Sequence, residues 1–495
     1  MDSICNQLMA AHKQGALLEE IEKELYSIVG SYEKIQRINN DTISSVLPAE
    51  RGDGTEGLLL MAPSLTLNGT FNYCGIAYAL ASLRQYRRWN FWARDFVVVF
   101  PGLECTSHKE MVESVESWLQ AYHAIKDGFT GHSGAIQAGV VIELDGDQCG
   151  AAFADADLCV EGPNGLLPNL DLVNSFLTID RHRAGQMRVF AKSSKLLKFL
   201  DLFEDNEYIS SLLHLAIMMF RQAFGWPLHS HGPLLKYRID AITIKFYQVD
   251  RDDTTEFMDR NLFEYTIAFA LVLFCRQVEL GFRSLNNILE HLHQSFFFYL
   301  LPDRERFISI ANYIGLGVLP IVALLTAVLL VSTVSFQQLK RSLALLISFF
   351  IIQFSILRLV VCLWKTSRLS SFIVLFFSLC LELIATEFCQ IPAQTRLILS
   401  FVAALSLTPL LFLNFSLSVF LGIIYGPLIS LGGASRISRI ASLAISPNSL
   451  LLLGLAIGLE GASNLMPSKL LLWNAGIPFV VWQSLLAISI FPSEE

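Results

Sequence analysis

Tyr299-Leu300-Leu301-Pro302-Asp303-Arg304-Glu305-Arg306-Phe307-Ile308-Ser309-Ile310 is where this chain changes solvent. Of the 80 Asp, Glu, Lys and Arg residues in the 495-residue sequence, only 14 follow Arg306. A water-facing domain does not tolerate so long a stretch with so little charge. A bilayer demands it, because each spanning helix needs roughly 20 mostly apolar residues. The sequence therefore divides into residues 1–305, read as a folded water-facing domain, and residues 306–495, read as an all-α multi-pass membrane domain.

Upstream of the divide, hydrophobic patterning alternates between strand and helix. Leu18, Ile21, Leu25 and Ile28 fall on one face of a helix within Ala16–Tyr32. Gly57–Met61 (GLLLM) is a short apolar run suited to a buried strand, and Gly75–Arg88 follows as a helix. Asp95–Phe100 (DFVVVF) is a second strand, rich in β-branched residues, and His108–Tyr122 has apolar residues at helical intervals. Ala135–Leu144 (AIQAGVVIEL) adds a third strand. Strands alternating with helices predict an α/β layer with a mainly parallel sheet.

Open sheets of this kind bind ligands beyond the carboxyl ends of their strands. Glu143 ends one strand, Glu161 lies in the loop VEGPNGLLPNLD, and His231 precedes another strand. Such residues can ligate metal; they also serve as caps and hydrogen-bonding structure. No HExxH, GxSxG or phosphate-cradling glycine loop occurs.

Residues 1–306 carry 27 Lys+Arg and 39 Asp+Glu, a net of −12, while the remainder carries 9 and 5, a net of +4. An acidic domain is a poor match for nucleic acid, whose phosphates need clustered cations. The basic run Arg84–Arg88 reads as a solvated helix face. Nine cysteines show no CxxC spacing, so a zinc ribbon is not indicated and disulfide pairing is unreadable. Asn40 and Asn68 head glycosylation tripeptides.

About seven spans fit the second half: Ile310–Ser335, Leu343–Trp364, Ser370–Phe388, Leu397–Leu413, Ser416–Leu431, a segment around Ser449–Leu459, and Leu470–Phe491. If the first domain is lumenal, five basic residues fall in cytosolic loops and three in lumenal ones, in line with the positive-inside rule. Glu382 sits within a span, and Arg358 either snorkels to the interface or, by preference, pairs with Glu382. A transporter built on these two residues is one alternative reading.

Several runs now come together. They are Ser133-Gly134-Ala135-Ile136-Gln137-Ala138, Val160-Glu161-Gly162-Pro163-Asn164-Gly165-Leu166-Leu167-Pro168-Asn169-Leu170-Asp171, Ser230-His231-Gly232 with Tyr237-Arg238-Ile239-Asp240-Ala241, and Leu285-Asn286-Asn287 through Tyr299-Leu300-Leu301-Pro302. In this order, ahead of membrane spans, they resemble the GPI-anchor attachment subunits of GPI transamidase. The resemblance implies a non-catalytic subunit of an endoplasmic-reticulum membrane complex that joins precursor C-termini to a GPI lipid. It also implies that the nucleophilic cysteine belongs to a separate caspase-like subunit.

The resemblance further implies a lumenal domain similar to di-zinc aminopeptidases, and it allows their ligand positions to be followed. The first-strand His position falls in Met61-Ala62-Pro63-Ser64, which has no His. The Asp position falls near Phe71-Asn72, and the Glu pair near Pro101-Gly102-Leu103, with Glu104 close by. Only Glu143 and His231 match the remaining positions. Two ligands fall short of the three, plus an open position, that a catalytic zinc needs, so a pseudoenzyme without cofactor is expected. The alternative is a membrane-tethered zinc metallopeptidase. Trp473, Asn474 and Trp482 are the candidates for facing GPI or lipid. Members of this family begin with a membrane span, whereas this chain starts at a stretch resembling the beginning of the lumenal domain, which reads as a truncated gene model or a fragment.

Overall fold

The computed structural model describes residues 2–39, 41–67, 69–123, 131–145, 153–183, 187–189, 207–224, 229–248, 275–288, 297–329, 336–364, 368–388, 395–431, 442–449 and 476–489. They form two compact units, Met1–Ile310 and Ala311–Glu495.

The first unit opens with α1 (Asp2–Lys13) and α2 (Leu17–Val29). Leu17, Ile21, Leu25 and Ile28 form the buried stripe of α2, and Gly30 ends it in the left-handed region at φ 79°. Eight strands then build one sheet. They are β1 (Ile35–Ile38), β2 (Thr42–Leu47), β3 (Glu56–Met61), β4 (Asp95–Phe100), β5 (Ala135–Asp145), β6 (Phe153–Cys159), β7 (Met187–Arg188) and β8 (Asp240–Gln248), in spatial order β1-β2-β4-β3-β5-β8-β6-β7. The central four, β4-β3-β5-β8, are parallel. β2 and β6 flank them antiparallel.

Helices on both faces explain why β3 and β4 are apolar throughout rather than alternating. On one face Leu59, Met61, Val97, Val99 and Val141 pack against Met111, Val115, Trp118 and Leu119 of α4 (His108–His123). Leu234 of the short α7 (Gly232–Lys236) joins this core. The other face carries α3 (Tyr73–Tyr86), and Tyr86, Trp92, Phe96 and Phe282 make an aromatic cluster there. Phe282 belongs to a helix over 275–286, here α8. Between α4 and α7 in the chain lie α5 (Leu170–Arg183) and α6 (Glu207–Phe224).

Connections leave β3 toward β4 on one side and reach β5 on the other, so the carboxyl ends of β3 and β5 border a topological switch point. At the opposite edge, Gly134 has φ 58°, and a Cβ there would lie 1.9 Å from the Thr55 carbonyl oxygen. Only glycine fits this entry into β5. Cys5 on α1 and Cys74 on α3 are disulfide-bonded, both buried, and the two helices pack together. A hairpin of β9 (Tyr299–Leu300) and β10 (Ile308–Ser309) closes the unit.

The second unit contains α9 (Ile310–Leu329), α10 (Phe336–Trp364), α11 (Arg368–Phe388), α12 (Thr395–Leu413), α13 (Phe415–Leu431) and α14 (Gly476–Ser489). These correspond to six of the seven expected spans, and the segment after Ser449 lies outside the described residues. By length and composition one described stretch, Lys340–Val360, is long and apolar enough to cross a membrane, and four shorter apolar helices accompany it. Small residues let the helices approach closely. A Cβ on Gly317 would come within 2.2 Å of Leu411, and one on Gly422 within 2.6 Å of Pro320.

The expected Arg358–Glu382 pair does not form: Arg358 is exposed, whereas Glu382 is buried. Amides take the arginine's place. Gln353 Nε2 donates to Glu382 at 2.7 Å, Gln483 Nε2 at 3.0 Å and Asn448 Nδ2 at 3.3 Å. Carboxamides are shorter than arginine and carry no charge, so they reach the acid across a packed bundle at a smaller desolvation cost.

Candidate functional site

Three charged side chains sit side by side across the carboxyl half of the sheet. Glu143 on β5 is in register with Lys245 on β8, and Lys245 is in register with Asp157 on β6. Register places all three on one face, the face covered by α4 and α7. All three are buried. Two residues back, Thr243 lies opposite Cys159 on the same face. From the turn before α7, His229 Nδ1 approaches both Glu143 carboxylate oxygens at 3.3 Å. His231 Nδ1 bonds Thr243 Oγ1 at 2.7 Å, and its Nε2 is buried with no hydrogen-bond partner among the described residues.

Burial alone would push the Glu143 carboxyl up, but His229, Lys245 and His108 outweigh it and hold the group below the usual carboxylate range. For His229, burial opposes the charge, while the Cys159 sulfur and the Glu143 carboxylate overcome it and push the imidazole up to about 10. His231 goes the other way. Burial, reinforced by the charge on His229, brings it down to about 4, so it is neutral at physiological pH. Burial also lowers His108, at the start of α4.

The cluster brings the acids Glu143 and Asp157 onto the same face as Lys245 and His229, and within it His229 and Glu143 pair at 3.3 Å. A divalent metal at Glu143 would have to replace the His229 contact, on the face that also carries Lys245. Among the described residues no group of three or more His, Cys, Asp or Glu side chains is placed to hold a metal. The described residues of this cluster do not fit zinc.

Asn72 occupies the switch point itself. Its Nδ2 donates to the carbonyls of Pro63 and Ile142, each at 2.9 Å, and its Oδ1 accepts from the N–H groups of Gly75 and Leu144, each at 3.0 Å. An aspartate could not donate to those carbonyls. The side chain at this ligand-like position is a stitch between the end of β3, the start of α3 and β5.

Other expected residues are dispersed. Glu104 is exposed. Glu161 is buried and pairs with Arg221 at 3.5 Å. Trp482 is 1% exposed and packs toward Tyr425, inside the second unit rather than toward lipid. Asn40, Asn68, Trp473 and Asn474 lie outside the described residues.

Sequence reasoning missed His229, Lys245, Asp157 and Cys159. The signal was present in part, because the alternation Thr243-Ile244-Lys245 places Thr243 and Lys245 on one face of their strand.

An open mixed α/β sheet, followed by apolar helices around a buried polar knot, defines the class of protein. The family follows from the sequence. A family described as Gaa1-like, GPI transamidase component, matches residues 39–467, and this chain belongs to it. The GPI transamidase component GAA1 of Saccharomyces cerevisiae is 32% identical over 276 residues, covering 55% of this chain and 39% of that protein. The gaa1 component of Schizosaccharomyces pombe is 31% identical over 282 residues, covering 56% and 43%. The aligned region is therefore less than half the length of either relative. Among solved structures, a glutaminyl cyclase of Porphyromonas gingivalis aligns with TM-score 0.33 at 13% identity, covering 55% of this chain and 90% of that one. A zinc aminopeptidase from Bacillus subtilis aligns with TM-score 0.29 at 10% identity, covering 51% and 53%.

Proposed function

We propose that this chain is a non-catalytic subunit of GPI transamidase, held in the endoplasmic-reticulum membrane by residues 306–495 with residues 1–305 in the lumen. The observation that carries the reading is the family match over residues 39–467. In this reading a separate caspase-like subunit supplies the nucleophilic cysteine. The present chain assembles the complex and presents the GPI lipid to the precursor's C-terminus. Holding an acceptor amine in attack geometry beside an acyl-enzyme replaces a bimolecular encounter, a large effect by itself.

Two features support the division of labour. Glu143 is buried and paired with His229, which favours a structural role for this ligand-like position over bond chemistry. The disulfide-bonded Cys5 and Cys74 suit an oxidising compartment. The test is isolation of the tagged chain in mild detergent followed by mass spectrometry. Recovery of a caspase-like cysteine protease subunit is the expected result. A clean preparation without one, accompanied by stoichiometric zinc lost on Glu143→Gln, would sink the reading and restore a membrane metallopeptidase.

A further inference from the structure

The turn between α3 and β4 is an aromatic and basic projection with no assigned role. From Arg84 to Arg94 the sequence RQYRRWNFWAR holds four arginines and no acid, inside a region whose net charge is −12. Two of the four are committed elsewhere. Arg84 pairs with Glu24, and Arg94 pairs with Glu56 while capping the carbonyls of Leu285 and Ile288 at the end of α8. Arg87 and Arg88 are exposed and make no ion pair among the described residues. Beside them, Trp89 and Phe91 are half-exposed, their rings 5.5 Å apart, with the Arg283 guanidinium 4.7 Å from the first and 4.9 Å from the second. Glu279 balances Arg283 at 2.7 Å.

The projection is held firmly. Arg88 and Trp89 donate their N–H groups to Gln85 and Tyr86, Trp92 Nε1 donates to the Tyr86 carbonyl, and Ala93 N donates to Asn286 Oδ1 at 2.8 Å. The backbone of the turn is therefore fixed.

Its place in the sheet matters as much as its composition. α3 returns from the carboxyl end of β3, so the turn lies at the amino edge of the parallel strands, just before Asp95 opens β4. The chain leaves this unit from the same edge. Tyr299 of β9 donates to the Pro168 carbonyl, and the neighbouring Asn169 N–H binds Asp240, the first residue of β8. From β9 and β10 the chain passes directly into α9. Within the first unit, β9 thus lies at the same amino edge of the sheet as the turn that carries Trp89, Phe91, Arg87 and Arg88.

The geometry points to this turn as a foot that rests on the bilayer, with Arg87 and Arg88 on anionic phospholipid headgroups and Trp89 and Phe91 at the interface. Tryptophan is favoured at that depth, and cations near an anionic surface strengthen attachment roughly fivefold each. In an otherwise acidic unit, such a foot sets which edge the membrane meets. The inference needs only that the chain is membrane-anchored, so it stands or falls separately from the transamidase reading.

The test uses the full chain in lipid nanodiscs, with a photo-crosslinking benzoylphenylalanine at the exposed Asn90 or, as a control at the opposite edge, at the exposed Lys109. Two compositions are compared, phosphatidylcholine alone and phosphatidylcholine mixed with phosphatidylinositol. The expected result is phospholipid crosslinking at position 90 but not at 109. Its yield should rise with phosphatidylinositol and drop about 25-fold or more in Arg87→Glu/Arg88→Glu. Equal lipid crosslinking at both positions, a yield indifferent to headgroup charge, or crosslinking from position 90 to a partner protein in the isolated complex would each overturn the proposal.

Discussion

Asn72 donates two amide hydrogens to main-chain carbonyls and accepts two main-chain N–H groups, a combination that no carboxylate can supply. Asn72→Asp, which restores the metal-ligand type, is therefore expected to lower stability by at least about 2 kcal/mol rather than to create a zinc site, because it sets acceptor against acceptor in a buried place. Thermal unfolding of the detergent-solubilised chain, read beside its zinc content, checks this. An unchanged midpoint or a new stoichiometric zinc would refute it. The buried imidazoles make a second prediction, about pH. His229 is raised in the folded state, so its contribution is full below the unfolded value of about 6.5 and is lost as pH climbs toward about 10. Glu143 and His231 are lowered, so their contributions are present above their unfolded values and fade as pH falls, through about 4 for His231. The alkaline loss should vanish in His229→Gln while the acid loss remains. Unfolding midpoints that fall alike for both proteins above pH 6.5 would count against the imidazolium assignment.

Among secondary-structure elements, those with pure periodicity were legible in the sequence. DFVVVF is β4 residue for residue, GLLLM lies within β3, and the α2 stripe and α4 run where their spacing places them. Strands β2 and β6 were not legible, because their buried faces hold polar groups. Ser44 and Ser45 are buried in TISSVL, and Asp157 is buried in FADADLC opposite Lys245. An acid buried on one strand opposite a lysine on another looks, in a single sequence, like a solvated charge on each. The second unit behaves alike: the sequence pattern offers Arg358 as a partner for Glu382, and the structure supplies amides from Gln353, Asn448 and Gln483 instead. Gln353 on α10, Glu382 on α11, Asn448 and Gln483 on α14 act as one knot, and Asn448 also bonds Gln353 Oε1 at 3.2 Å and, through its main chain, Gln483 Oε1 at 3.1 Å. Members of such a network are coupled, so the losses from Glu382→Ala and Gln483→Ala should fall short of adding, with an interaction of about 1 kcal/mol or more. A double-mutant cycle on unfolding in detergent measures it. Strict additivity would reduce the knot to independent contacts.

At the scale of the whole molecule, the orientation of the first unit decides which compartment its cysteines see. Cys5 and Cys74 are buried and disulfide-bonded on two packed helices, while Cys105, Cys159 and Cys275 in the same unit are free. A cytosol held reducing by glutathione does not sustain such a bond, whereas the endoplasmic-reticulum lumen does. The prediction is read from membranes quenched in acid and then denatured with a heavy maleimide. Half-exposed Cys105 should be labelled at once, whereas Cys5 and Cys74 should be labelled only after reduction. In Cys5→Ser, Cys74 should become reactive without reductant, which identifies the partner as well as the redox state. Loss of the bond should also loosen α1 from α3, lowering stability by about 2–5 kcal/mol, seen as earlier proteolysis in the first unit. If Cys5 and Cys74 label freely in unreduced membranes from cells, the unit lies on the reducing side, and the lumenal placement on which the transamidase reading depends fails with it.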